Sequence, residues 1–334
     1  MDRPSSIASS WPQRLFESNA SFEELAITAF KYQAVANPVY AAYIKALGVD
    51  PDAIHSIEKI PFLPIRFFKT HAVKSDSFEP AIIFESSTTT GQTPSRHFVK
   101  NPSLYQASYS RGFRQFFGDP SQWCVLGLLP TYLERQHSSL VYMMDDLIKK
   151  TGHPKSGFYL HDLDALQETL QALEKNKQPT LLLGVTFALL DFAAAHPMPL
   201  HYTTIIETGG MKGRGIELTR EEVHAQLKKA FGLESIGAEY GMTELLSQAW
   251  SMKEGRFTCP PWMKVLIREE EDPLHVRLTG TGALNIIDLA NQFSCSFIAT
   301  DDVGIIYEDG TFEVHGRLDN SDIRGCSLLV SNGI

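Results

Sequence analysis

The chain has 334 residues, 43% of them hydrophobic, and a formal net charge of −9. That is enough apolar material for two domains, or for one large α/β domain with an appendage, and the balance of charge argues against a nucleic-acid-binding surface. The four cysteines, Cys124, Cys259, Cys295 and Cys326, are widely spaced and form no CxxC pair, which excludes a disulfide framework or a zinc site and leaves reduced thiols as the expectation.

The amino-terminal stretch MDRPSSIASSWPQRLF has no apolar core of a secretory signal. The longest apolar run, Leu181–Ala195, is broken by Asp191 and is too short to span a bilayer, so a soluble, cytoplasmic protein is expected. The first fifty residues read as helices: Ser21 and Glu24 form a capping box, and Gly48 ends a second periodic stretch. Ile60–Val73 reads as an extended segment packed on the core, and PAIIFE (Pro80–Glu85) as a buried strand feeding a turn. Helical periods follow in SLYQASYSRGFRQFF, DLDALQETLQALEKN, FALLDFAAA and TREEVHAQLKKAFG, the last with Thr219 and Glu222 as its capping box and Gly232 past its end. Strands are expected at QWCVLGLLP, TLLLG, YTTIIETGG and SIGAEYGMTE. Strands alternating with helices imply an α/β domain. From LHVRLTGTG onward, short strands split by turns such as Asp309-Gly310 predict a β-rich subdomain, with a boundary near Gly316.

Four stretches stand out chemically. FESSTTTGQTPSRHF (Phe84–Phe98) places five consecutive hydroxyls, Ser86 to Thr90, in a turn with a glycine and a late arginine. Hydroxyls and turn N–H groups surround phosphate oxygens well, and an arginine adds charge. The loop is no P-loop, because GxxxxGK[ST] is absent, and a lone Ser/Thr-rich turn is more often a solvated surface loop. ETGGMKGRG (Glu207–Gly215) is a strand-end glycine turn that lets backbone approach a ring or a phosphate. EYGMTE (Glu239–Glu244) puts an aromatic, a glycine, a hydroxyl and a carboxylate within six residues. TDDVGIIYEDGTFEVHGRLDNSD supplies carboxylates before a hairpin and an arginine after it.

In this order the four stretches resemble the adenylate-forming superfamily of acyl-activating enzymes, over roughly residues 60 to 334. Ser86–Arg96 is similar to its phosphate loop, YGMTE to its Tyr-Gly-x-Thr-Glu motif, TDDVG to its ribose motif and GRLDNSDIRG to its hinge. The match is closest to the long-chain-fatty-acid–protein ligases of the LuxE type, through LPTYLERQHSSL, GGMKGRG and the ending GRLDNSDIRGCSLL. The resemblance implies a large amino-terminal adenylation domain (residues 1–59 its helical part, 60–315 its core) with a β-rich subdomain and a truncated carboxyl-terminal segment, residues 316–334.

It also implies the chemistry: ATP and a fatty or other apolar carboxylic acid give an acyl-adenylate and pyrophosphate, and a thiol then takes the acyl group. Ser87, Thr88, Thr89, Thr90, Gly91, Thr93 and Arg96 would hold the β- and γ-phosphates. Thr243 would contact the α-phosphate and Glu244 would help hold Mg²⁺, a hard cation suited to carboxylate oxygen. Tyr240, with Glu239 and Gly241 beside it, would stack near the adenine, with Gly209 and Gly210 giving it room. Asp302, or Asp301 in its place, would bind the ribose, and Arg317 would sit at the hinge. Cys326 would be the acyl acceptor, with Arg324 near to favour its thiolate, and an acyl reductase or acyltransferase would collect the chain. Cys124, Cys259 and Cys295 are left as structural.

Three departures accompany the match. TDD stands where the superfamily's ribose motif has Thr-Gly-Asp, which is why Asp301 is kept beside Asp302. Thr88 stands where the superfamily has a glycine, and the large carboxyl-terminal domain with its adenylation lysine has no counterpart, which leaves Arg135, His137 and Lys212 as candidate cations. The rival readings are an acyl-CoA ligase and a non-catalytic nucleotide-binding regulatory subunit. A hydrolase is disfavoured because no GxSxG turn occurs.

Overall fold

A computed structural model describes residues 4–87, 93–130, 134–209, 218–253, 255–269 and 272–318, with side chains from residue 10 onward. Five strands lie side by side and parallel in the order Gly157–Phe158, Cys124–Leu128, Thr180–Val185, Thr203–Thr208 and Gly237–Tyr240, and Ala249–Ser251 closes the sheet antiparallel. Parallel strands are covered on both faces, so they read as unbroken apolar runs. CVLGL is buried at every position. Its neighbours divide with period two: Val125, Leu181 and Leu183 join one apolar cluster, Leu126, Leu128 and Leu182 the other. Helices Leu163–Lys175, Thr186–Ala195 and Arg220–Phe231 supply Leu170, Phe192 and Leu227 to the second cluster, and Pro102–Phe117 and Ser139–Thr151 supply Phe113 and Met143 to the first. The result is a sheet between two helical layers.

The second six-stranded sheet is antiparallel at its centre, with Met263–Arg268, Gly280–Asp288 and Phe297–Ile306 in sequence and Val276–Arg277 on one edge. The far side of Phe297–Ile306 is shared by Leu63–Pro64, which runs parallel to it, and Phe312–Arg317, which runs antiparallel. Both expected capping boxes are present, at Ser21–Glu24 and Thr219–Glu222, and Gly232 ends its helix at φ 65°. The amino-terminal helices pack on the second sheet. Gln33 is fully buried, its amide donating to the carbonyls of Asn291 (3.1 Å) and Gln292 (2.9 Å) while its oxygen accepts the Ser296 N–H at 2.9 Å.

Two expectations change. Ile60–Val73 is not extended throughout: after Leu63–Pro64 comes one helical turn, Phe67–Thr70, which turns Phe68 fully inward. Ile82–Glu85 is a strand of a separate two-stranded hairpin, half-buried except at Phe84, because one face of that hairpin looks outward. The strand Phe312–Arg317 ends one residue past Gly316, near which a boundary was expected.

Candidate active site

The hydroxyl loop is the connection of the hairpin. Ile82–Glu85 pairs with Arg96–Val99 in a register ending at Glu85↔Arg96. The Ser86 N–H donates to the Ser95 carbonyl (3.1 Å), and the Ser95 N–H donates to Ser86 Oγ (2.9 Å), closing the neck. Exposed Ser87, Thr93 and Arg96 flank the opening, whereas Thr88, Thr89, Thr90 and Gly91 lie outside the described residues. His137 and Arg135 are exposed beside the hairpin, and the His137 carbonyl accepts the Glu85 N–H at 2.8 Å. Lys212 and Gly210 also lie outside the described residues.

EYGMTE begins on the last strand of the parallel run and turns away at the carboxyl ends of the strands, where open α/β sheets bind ligands. Glu239 is buried and accepts a 2.5 Å hydrogen bond from Thr208 Oγ1. Its carboxylate folds over Gly241, where a Cβ would stand 2.4 Å from Glu239 Oε1, so a side chain there would push the carboxylate aside. Next door, Glu207 accepts from Thr186 Oγ1 (2.8 Å) and Arg220 Nε (3.0 Å). Arg220 also donates to the Val314 carbonyl at 3.1 Å and lies 5.0 Å from the Phe257 ring centre, tying the two sheets together. Gly209 follows at φ 78°, a left-handed conformation suited to glycine.

The two buried carboxylates titrate apart. Burial pushes Glu239 up to about 7, and the charge of Glu207 adds to this against the Thr208 hydrogen bond. Glu207 is buried too, yet bonds from His224, Arg220 and Thr186 hold it below the usual range. The fold therefore favours neutral Glu239, whose stabilisation is complete below pH 4.5 and lost as pH rises through about 7. Glu239→Gln fixes the neutral form. It is expected to melt higher than the parent at pH 8, by on the order of 3 kcal/mol of stability, with the gap closing toward pH 4.5. Thermal melts across this range check the sign, and a gap that widens on acidification would contradict it.

Tyr240 links the strand end to the second sheet. Its ring packs against Phe257 and Phe312, and its hydroxyl donates to Asp302 Oδ2 at 2.7 Å. Burial, reinforced by the Asp302 charge, holds that hydroxyl protonated. Asp302 Oδ1 accepts from Arg317 Nε at 3.1 Å, and the two residues face each other across paired strands. Just beyond, the register shifts between Val303 and Gly304, where a Cβ would lie 1.9 Å from the Glu313 carbonyl oxygen; glycine makes this bulge. Asp302 is 6% exposed, whereas Asp301 is on the exposed face.

Thr243 and Glu244 occupy the turn before Ala249–Ser251. Glu244 is buried, and burial raises its pKa against a hydrogen bond from Ser95 and the charges of Arg317 and Lys69. The loop neck, the strand-end turn and the Asp302–Arg317 pair thus form one contiguous set. Reasoning from sequence missed Ser95, Lys69, Thr208 and Arg220. Thr208 and Arg220 were in view, in a quoted strand and at the start of a capped helix, without a sign that either faced inward. Burial pushes the thiols of Cys124 up to about 11 and of Cys259 and Cys295 up to about 12. Cys326 lies outside the described residues.

The family model for the acyl-protein synthetases, LuxE, matches residues 7–334. The chain belongs to the LuxE acyl-protein synthetase family. A long-chain-fatty-acid–luciferin-component ligase of Aliivibrio fischeri is 24% identical over 339 residues, covering 93% of this chain and 88% of the relative. Among solved structures, 2-hydroxyisobutyryl-CoA ligase in its postadenylation state aligns at a TM-score of 0.60 and 11% identity, over 89% of this chain and 67% of that one. ATP-bound MatB from Rhodopseudomonas palustris aligns at 0.53 and 15% identity, over 81% and 51%. This LuxE-family chain thus has the fold of the adenylate-forming ligases and spans about half the length of MatB. As a LuxE-family member it is an acyl-activating ligase. No helix among the described residues is long and apolar enough to cross a membrane.

Proposed function

We propose that the chain activates a long-chain or other apolar carboxylic acid with ATP and transfers the acyl group to its own Cys326, from which an acyl reductase or acyltransferase collects it. One observation carries the reading. Four stretches far apart in sequence meet through Ser95–Glu244, Thr208–Glu239 and Tyr240–Asp302–Arg317. The fatty acid is suggested by the name of the Aliivibrio fischeri relative.

In the first step a carboxylate oxygen of the acid attacks the α-phosphorus, the bond to the bridging oxygen breaks, and pyrophosphate departs with the electron pair. In the second, the Cys326 thiolate attacks the acyl carbon and AMP leaves; the thiol proton is lost to solvent. The protein's contribution is positioning and charge stabilisation. Ser87 to Thr93 and Arg96 would line the β- and γ-phosphates, and Thr243 the α-phosphate. Tyr240 would flank the adenine beside Gly209, while Asp302, steadied by Tyr240 and Arg317, would accept from the ribose hydroxyls. Among the described residues no three His, Cys, Asp or Glu side chains cluster as a metal cage. That suits Mg²⁺, which is commonly held by one or two carboxylates together with substrate phosphates; Glu244 is the carboxylate for it. When bound, Mg²⁺ supplies charge neutralisation at the phosphate oxygens.

The test is incubation with Mg-ATP and a labelled fatty acid, followed by acid-dependent ATP–pyrophosphate exchange and intact mass with and without hydroxylamine. Exchange plus a hydroxylamine-labile acyl adduct is the expected result. Exchange without an adduct would point to an external acceptor such as CoA. Nucleotide binding without exchange would point to a regulatory subunit.

A further inference from the structure

His97 is the second residue of the strand that leaves the hydroxyl loop. It is 1% exposed, wedged edge-on against Phe68 with ring centres 6.0 Å apart. Its Nδ1 lies 2.8 Å from the main-chain oxygen of Thr243. A carbonyl only accepts, so Nδ1 carries the proton. Burial lowers the pKa of the ring to about 4, against bonds from the Thr243 backbone and the Asn291 side chain, so the imidazole is neutral near pH 7. Asn291 is itself fully buried, and its Nδ2 donates to the main-chain oxygen of Glu244 at 2.6 Å. Two neighbouring side chains thus grip two successive carbonyls, and neither carries charge to a ligand. Two residues earlier, just before the strand, Ser95 bonds the Glu244 carboxylate.

We infer that His97 and Asn291 are positioning residues: by holding the Thr243 and Glu244 carbonyls they fix the direction of those side chains and tie the strand that leaves the hydroxyl loop to the cation-binding turn. This rests on the activation reading for the identity of the phosphate and the cation. Sequence stiffness alone does not place the turn. It follows a strand and precedes another, and its main chain is fixed by donors from two other elements. Since the strand that leaves the loop carries one donor, its placement and that of Glu244 come together. The consequence is an affinity for nucleotide that depends on Mg²⁺ through His97.

The experiment compares binding of mant-ATP, with and without Mg²⁺, by the full chain, His97→Phe and His97→Asn. Phenylalanine keeps the volume and removes the donor; asparagine returns an N–H near the position of Nδ1. In His97→Phe the gain in affinity conferred by Mg²⁺ is expected to fall by roughly tenfold, the effect of loosening a turn that carries a metal ligand, and Mg²⁺-free affinity to fall by less, through Thr243 at the α-phosphate. His97→Asn restores most of the gain. A His97→Phe protein that keeps the Mg²⁺ gain, or whose affinity falls equally with and without Mg²⁺, overturns the inference. Should His97→Phe fail to fold, Asn291→Leu carries the same expectation at the Glu244 carbonyl. A wild type that shows the Mg²⁺ gain but no acid-dependent exchange would overturn activation and leave the positioning role standing. A wild type that binds no nucleotide overturns both.

Discussion

Replacing Cys326 with serine is expected to abolish the hydroxylamine-labile acyl adduct while acid-dependent ATP–pyrophosphate exchange continues. The two halves separate because, in the proposed reaction, adenylation would use the strand-end site, whereas transfer needs a thiolate. The other cysteines cannot substitute. A thiol with pKa about 12, as at Cys259 and Cys295, is ionised in about one molecule in 10⁵ at pH 7. Cys124 at about 11 is little better, and it and Cys295 are wholly buried. Peptide mapping of the labelled protein locates the adduct. An acyl group found on another cysteine of Cys326→Ser would remove Cys326 from the mechanism, and exchange lost along with the adduct would tie it to the first step instead.

The second large effect is expected at Asp302. Alanine there leaves the Tyr240 hydroxyl buried without its acceptor and Arg317 without its carboxylate. An unmade buried hydrogen bond costs about 1–3 kcal/mol, and loss of the ribose contact adds to it at the level of binding. Nucleotide affinity is expected to drop by about tenfold or more. Asp302→Asn keeps an acceptor for Tyr240 and loses the charge facing Arg317, so it should fall between. Asp301→Ala, on the exposed face, is expected to change stability by no more than about 0.5 kcal/mol. Calorimetric titration of the three variants with ATP decides the matter; greater damage from Asp301→Ala than from Asp302→Ala would reverse the assignment.

Much of this was legible in the residues because it depends on local rules. Apolar runs such as TLLLG declare strands covered on both faces, and capping boxes declare where helices begin. The four chemical stretches were visible for the same reason, each being a short run of unusual composition. What stayed hidden is set by tertiary direction. Sequence places His97 at the end of the hydroxyl loop but shows neither the strand it belongs to nor which carbonyl its ring will meet 146 positions later. It shows Thr208 and Glu239 at two strand ends but not that parallel pairing sets them opposite each other. Asp301 and Asp302 are chemically identical neighbours, and the two-residue period of the strand alone decides which one turns inward. The helix Ser139–Thr151 and the strand Met263–Arg268 were not anticipated. Phe67–Thr70 turns helical where prolines and aromatics suggested an extended run, since one turn is what carries Phe68 into the core.

The contacts between the amino-terminal helices and the second sheet bear on how the chain matures. Trp11 donates to the Leu289 carbonyl, Asn37 to that of Ser294, and Leu63–Pro64 lies beside Ile298 and Ala299. At about 5–20 residues per second, roughly 10–50 s of synthesis separate these partners. Until then Phe30 and Tyr40, which touch each other, lack the Phe297 ring that both pack against in the finished fold. These helices leave the ribosome well before the sheet that covers them.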